Sequence, residues 1–132
     1  MLNLADAYNL SGQHQDASEA YNQTLALLAK PESIQQFSTK AQALAHLGKH
    51  TNAIKTLKEA EQKFSMTSKL HYAAAIIHTA ANNDLAAIVE IDAAQSTGTG
   101  LIWFRFKWFK TLCKHAEFAA IVKKDKASIC RD

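Results

Sequence analysis

Glycine and proline are scarce in this chain of 132 residues, which holds four of the first and one of the second. That scarcity argues against an all-β fold, whose many tight turns draw on both. Cysteine occurs only as Cys113 and Cys130, and neither belongs to a C-x-x-C pair, so neither a metal nor a redox site is indicated. One buried and one exposed free thiol are expected, with a disulfide as the alternative in an oxidising compartment. No apolar run approaches the roughly 20 residues that span a bilayer. The start, MLNLADAYNL, has no basic region before an apolar one and carries Asp6 early, unlike a secretory signal. It reads instead as a chain that begins inside a helix, and hence as a fragment of a longer protein. Arginine is absent from residues 1–100, where seven Lys against nine acids give −2; residues 101–132 hold eight Lys or Arg against three acids, giving +5. The last thirty-two residues are therefore chemically distinct from the body. Also missing are G-x-x-x-x-G-K-S/T, G-x-G-x-x-G and G-x-S-x-G, and with them the phosphate cradles and the nucleophile elbow.

What the chain does have is helix-forming composition, rich in Ala, Leu, Lys, Gln and Glu. Its length suits one domain with a substantial core. An internal repeat is present. LADAYNLSGQHQDASEAYNQTL, residues 4–25, aligns with KAQALAHLGKHTNAIKTLKEA, residues 40–60: Gly12 with Gly48, His14 with His50, Ala17 with Ala53, Tyr21 with Leu57, each pair 36 residues apart. A weaker third copy, HYAAAIIHTAANNDLAAIVEIDAA at 71–94, has Asn82-Asn83 for the glycine, then Ala87 and Ile91. Each copy reads as two amphipathic helices joined by a short turn. Glycine, or Asn as the next best residue, adopts the left-handed conformation that ends the first helix. The small residue on the second helix lets the two backbones approach; a Leu there would overpack by about 1–3 kcal/mol. Tyr21, Leu57 and Ile91 fall one turn further along the same face. The pattern predicts helices at 1–11, 14–29, 33–47, 50–64, 68–81 and 84–95. Lys30-Pro31 breaks the chain between units, and Ser96-Thr-Gly-Thr-Gly100 is a loop.

These residues resemble the tetratricopeptide repeat, on the strength of Leu4, Ala5, Tyr8, Gly12, Ala17 and Tyr21 in the first copy and Ala41, Leu44, Gly48, Ala53, Leu57 and Ala60 in the second. His14 and His50 stand where the family usually has an aromatic, and Thr24 where it usually has Ala. The resemblance implies an all-α, right-handed α-α superhelix of about three repeats, spanning 1–97. Residues 98–132 are expected to add a loop, a short apolar segment and a capping helix within the same structural domain.

Six of the eleven aromatic residues lie between Trp103 and Phe118. Interleaved with Arg105, Lys107, Lys110 and Lys114, they could form a basic tail for nucleic acid or an anionic membrane surface. Burial argues otherwise. A patch of that size is costly in water, each large apolar side chain gains about 1.5–3 kcal/mol on burial, and a solenoid needs its last face covered. We therefore expect Trp103, Trp108, Phe109 and Leu112 to pack on the third repeat, a helix near 115–125 to add Phe118, Ile121 and Val122, and the basic residues to point outward. The stretch WFRFKWFKTLCKHAEFAAIV also resembles the end of helical-repeat regions in bacterial regulators, those attached to Ser/Thr kinases, adenylate cyclases and winged-helix transcription factors. That resemblance, over 70–124, implies the sensory or regulatory part of a larger bacterial signalling protein.

No catalytic constellation is found. His46 and His50 have the spacing of a helical metal pair, but Gly48 separates them; His71 and His78 lack a carboxylate between them at ligand spacing. No metal and no cofactor are expected. The resemblance further implies that the first helices of successive repeats line a concave groove, here with Asp6, Asn9, Gln42, His46, Tyr72, Ile76 and Thr79 exposed to a protein or peptide. Some members of the family grip a peptide's terminal carboxylate with Lys and Asn; Leu2 and Asp6 occupy the first such positions, so that version is disfavoured. Faces exposed at the N-terminal end would allow a homodimer. The expected location is the cytoplasm, or the periplasm if the parent chain has a transmembrane segment.

Overall fold

The computed structural model describes residues 3–131. Among them the fold is all-helical. Three antiparallel helix pairs follow one another: α1 (Leu4–Leu10) with α2 (His14–Leu27), α3 (Ile34–His46) with α4 (His50–Lys63), and α5 (Ser68–Ala80) with α6 (Asp84–Ser96). Two 3-10 segments, Leu101–Phe104 and Lys107–Lys114, lead into α7 (Ala116–Val122). Each predicted helix is present with its ends shifted by a few residues, and the capping helix is shorter than 115–125.

The turns inside the three pairs are built alike. Gly12 and Gly48 have φ of +82° and +79°, and Asn82 follows at +62°. In each, the next amide reaches back five residues: Gln13 to the Tyr8 carbonyl at 2.9 Å, Lys49 to Leu44 at 2.8 Å and Asn83 to His78 at 2.8 Å. This Schellman closure satisfies carbonyls that the helix end would otherwise leave bare. Gly98 ends α6 the same way, with Thr99 bonded to Ala94 at 2.9 Å. The entry to α3 is capped by Ser33, which accepts from Gln36 N–H, while the Gln36 side chain returns to the Glu32 N–H at 2.7 Å.

Where the helices of a pair cross, Ala17, Ala53 and Ala87 are buried, as are Tyr21, Leu57 and Ile91 beside them. The main core runs through the second and third pairs and into the C-terminal segment. Its centre is α5, which packs on α3, α4, α6 and the second 3-10 segment. That surround accounts for its nearly unbroken apolar run, Ala73 to Ile77, all buried. The first pair has a small core of its own, made of Ala5, Ala17 and Tyr21 against Ala43 of α3.

The C-terminal segment does more than cover an end. Phe104, Phe109, Leu112, Phe118 and Val122 are buried in the main core. Trp103 is half-buried against Tyr72 of α5, their ring centroids 6.0 Å apart, whereas Trp108, also half-buried and expected on the third pair, reaches back to α3, its ring 4.6 Å from that of His46. Lys107 Nζ lies 3.3 Å from the Leu10 carbonyl, at the end of α1. The segment therefore crosses the face formed by α1, α3 and α5.

The expectation of two free thiols is overturned. Cys113 and Cys130 form a disulfide, which ties the second 3-10 segment to the returning tail. Local spacing does not reveal the pairing, because α7 and the turns after it fold the chain back across a sequence separation of 17.

Candidate functional site

A cavity of about 240 Å³ opens where the aromatic segment crosses the helices. Its floor is a polar stripe on α3: Gln35, Ser38, Thr39 and Gln42, spaced so that they share one helix face. Asp6 of α1 and Tyr21 of α2 line one side. Tyr72 and Lys69 of α5 line the other, and Thr99, Trp103, Phe106 and Trp108 form the remaining wall. The aromatic members touch in series. Tyr72 meets Trp103 edge-on at 6.0 Å, Trp103 meets Phe106 at 6.1 Å, and Phe106 meets Trp108 at 5.1 Å. Tyr72 OH donates to the Trp103 carbonyl at 3.0 Å, fixing its ring against the wall.

Beneath this wall lies a buried polar cluster. Tyr21 OH donates to Asp6 Oδ1 at 2.5 Å, and Asn9 Nδ2 lies 3.4 Å from the Tyr21 oxygen. The His46 ring stacks on Tyr21 at 5.2 Å, and its Nε2 is 3.7 Å from Asp6 Oδ1. Burial disfavours a phenolate at Tyr21, and the hydrogen bond to Asp6 adds to that, so its pKa lies far above the usual range. At His46 burial lowers the pKa, opposed by the Asp6 charge. The imidazole ring lies between Asp6 and Trp108. Tyr72 is also raised, chiefly by burial.

Of the seven groove residues expected from sequence, Asp6, Gln42 and Tyr72 line the cavity. Asn9 is half-buried and serves Tyr21. His46 lies beneath the wall, its side chain 6% exposed. Ile76 and Thr79 are not exposed as expected: both are buried, and Thr79 donates back to the Ala75 carbonyl at 2.7 Å. Ile76 shares the main core with Phe104, Phe109 and Leu112 of the aromatic segment. Leu2 lies outside the described residues. The walls Trp103, Phe106 and Trp108 and the floor Gln35, Ser38 and Thr39 were missed. The floor did carry a signal, four polar residues at i, i+3, i+4 and i+7 of a helix whose other face is apolar.

The basic residues of the tail are exposed, yet they are engaged. Arg105 makes a two-pronged pair with Asp125, Nε to Oδ2 and Nη2 to Oδ1, both at 2.7 Å. Lys110 Nζ donates to the Ile129 carbonyl at 2.9 Å, and Lys114 lies 3.5 Å from Asp84. His115 Nε2 contacts the same Asp84 carboxylate at 2.9 Å. His71 likewise meets a carboxylate, Glu90 on the neighbouring α6, at 2.7 Å. No group of three or more His, Cys, Asp or Glu gathers at metal-binding distance among the described residues.

Family models, curated proteins and solved structures give no match to this chain.

Asp84 and Asp125 pin the C-terminal segment that walls the cavity, and this gives a pH prediction. The His115 hydrogen bond holds the Asp84 pKa below its ordinary value, and Arg105 does the same for Asp125. A depressed carboxylate contributes stability above its unfolded value, near 3.9. That contribution is lost as pH falls through the lower, folded value. The melting temperature should therefore drop between about pH 5 and pH 2, with Trp emission moving to the red as the wall loosens. In Asp125→Asn the drop should be shallower; an unchanged slope would show that the pair does not hold the segment.

Proposed function

We propose that this chain is a non-enzymatic peptide-binding module of the tetratricopeptide type, the regulatory or sensory part of a larger bacterial signalling protein. The observation that carries the reading is the cavity on the face of α1, α3 and α5, with a polar stripe for a floor and aromatic rings for a wall. An extended peptide needs hydrogen-bonding partners for its backbone and pockets for its side chains. Gln35, Ser38, Thr39 and Gln42 supply the first, and Trp103, Phe106 and Trp108 supply the second. Asp6, the buried carboxylate of the site, is bonded to Tyr21, which suits recognition better than proton transfer. The parent class rests on the resemblance of residues 70–124 to the ends of regulator repeat regions.

A nucleic-acid or membrane-surface tail fits less well. Its aromatics are turned into the core and the cavity, and its cations are partly occupied by Asp125, Asp84 and main-chain carbonyls. No helix among the described residues is long and apolar enough to cross a membrane. For the compartment, the Cys113–Cys130 disulfide favours an oxidising location such as the periplasm over the cytoplasm.

Selection from a random decapeptide library tests the reading. Peptides should be enriched, and their binding should vanish in Gln42→Trp, which fills the cavity from its floor. No enrichment, or enrichment indifferent to Gln42→Trp, would remove the proposal.

A further inference from the structure

We propose that the cavity selects a basic side chain, a lysine or arginine of the bound peptide, held between the aromatic wall and the Asp6 carboxylate. This rests on the peptide-binding reading and adds to it the chemistry of the residue recognised. Two observations support it independently. The first is the wall. Tyr72, Trp103, Phe106 and Trp108 are linked ring to ring around one cavity, with centroids 5.1 to 6.1 Å apart along the series. Ring faces carry negative potential, and a cation within about 6 Å of a centroid is attracted to them. A guest that were merely apolar would not account for the second observation, the carboxylate.

Asp6 is buried, lines the same cavity and is one His46 ring away from Trp108. Its contacts to Tyr21 and His46 both go to Oδ1, and no hydrogen bond reaches Oδ2 among the described residues. A buried carboxylate with an unused oxygen gains from an ionic donor. The other charged lining group, Lys69, is exposed, and its Nζ is held by Gln35 Oε1 at 2.6 Å. Of the two charged lining residues Asp6 is thus the buried one. The volume, about 240 Å³, lies below the usual range of about 300–1,000 Å³ for drug-sized ligands. It suits one side chain entering from a longer ligand.

The test compares three acetylated, amidated pentapeptides on the whole chain, read by Trp fluorescence and by NMR shifts: GGKGG, its norleucine isostere, and GGEGG. The lysine peptide should bind about 3- to 30-fold more tightly than the isostere, the span expected of a cation on aromatic faces, and the acidic one should be weakest. Trp103→Leu keeps apolar bulk and Asp6→Asn keeps an acceptor for Tyr21, so both should fold; melting curves check this. Each should shrink the lysine advantage, and higher salt should do so as well. Equal binding of lysine and norleucine peptides would overturn the cation reading and leave peptide binding standing. Tighter binding of the acidic peptide, or no binding of the lysine peptide, would overturn it too. Failure of the decapeptide selection as well would remove the parent reading.

Discussion

Ending the chain at Gly100 should abolish cooperative unfolding. The residues removed include Phe104, Phe109, Leu112, Phe118 and Val122, each at most 2% exposed and part of the main core with Leu70, Ile76 and Ile77. Burial of five such side chains is worth roughly 7–15 kcal/mol at about 1.5–3 kcal/mol each. The whole stability of a domain is about 5–15 kcal/mol. The loss is therefore comparable with everything the fold has. It also falls on α5, the most enclosed helix, whose covered face would become an apolar patch in water. The shortened chain should keep helical far-UV dichroism from its local turns and caps, bind a hydrophobic dye, and melt over a broad range or aggregate. A sharp melt without dye binding would show that three helix pairs suffice, and that the aromatic segment serves only the cavity.

The features legible in sequence were those decided locally. Gly12, Gly48 and Asn82 are read from one backbone requirement, a left-handed residue, that no distant contact can change. Ala17, Ala53 and Ala87 are read from a crossing between neighbours in the chain. The C-terminal segment was legible only in part. Its hydrophobicity announced burial, and Phe109 and Leu112 are fully buried. Its path did not follow from its pattern, because LIWFRFKWFKTL matches no helical period cleanly and folds as two 3-10 pieces separated by a bend. The place of Trp108 against His46 depends on how three helix pairs curve, and curvature is a property of the assembled stack. The same gap explains the misplaced groove residues. Ile76, expected on an exposed groove face, shares the main core with Phe104 and Phe109 of the aromatic segment, and Thr79 is buried as well. Asp6, expected to be exposed in the groove, is buried, and its bond to Tyr21 joins helices whose mutual rotation the sequence does not state.

Replacing Phe109 by Ala should be the most damaging single change of an apolar side chain, and it should reach the cavity. Phe109 is 0% exposed and sits among three other rings: Phe104 at 5.5 Å, Tyr72 at 6.1 Å and Phe118 at 6.5 Å. Phe-to-Ala changes at such sites cost about 3–5 kcal/mol, from lost transfer energy and from the cavity left behind. In a chain of 132 residues that lowers the melting temperature by roughly 10–20 °C. Phe109→Leu retains most of the volume and should cost below about 1.5 kcal/mol. Urea titration separates the two, with a lower midpoint and an unchanged slope if only stability has moved. Because Tyr72 both packs on Phe109 and lines the cavity, the hole should also loosen that wall. The lysine peptide should then bind more weakly to Phe109→Ala at temperatures where the variant is still folded, and nearly normally to Phe109→Leu. A Phe109→Ala protein that loses less than about 1 kcal/mol would mean that the rings are not close-packed. The aromatic segment would then be a loose flap, and the cavity it walls would have no fixed shape with which to select a ligand.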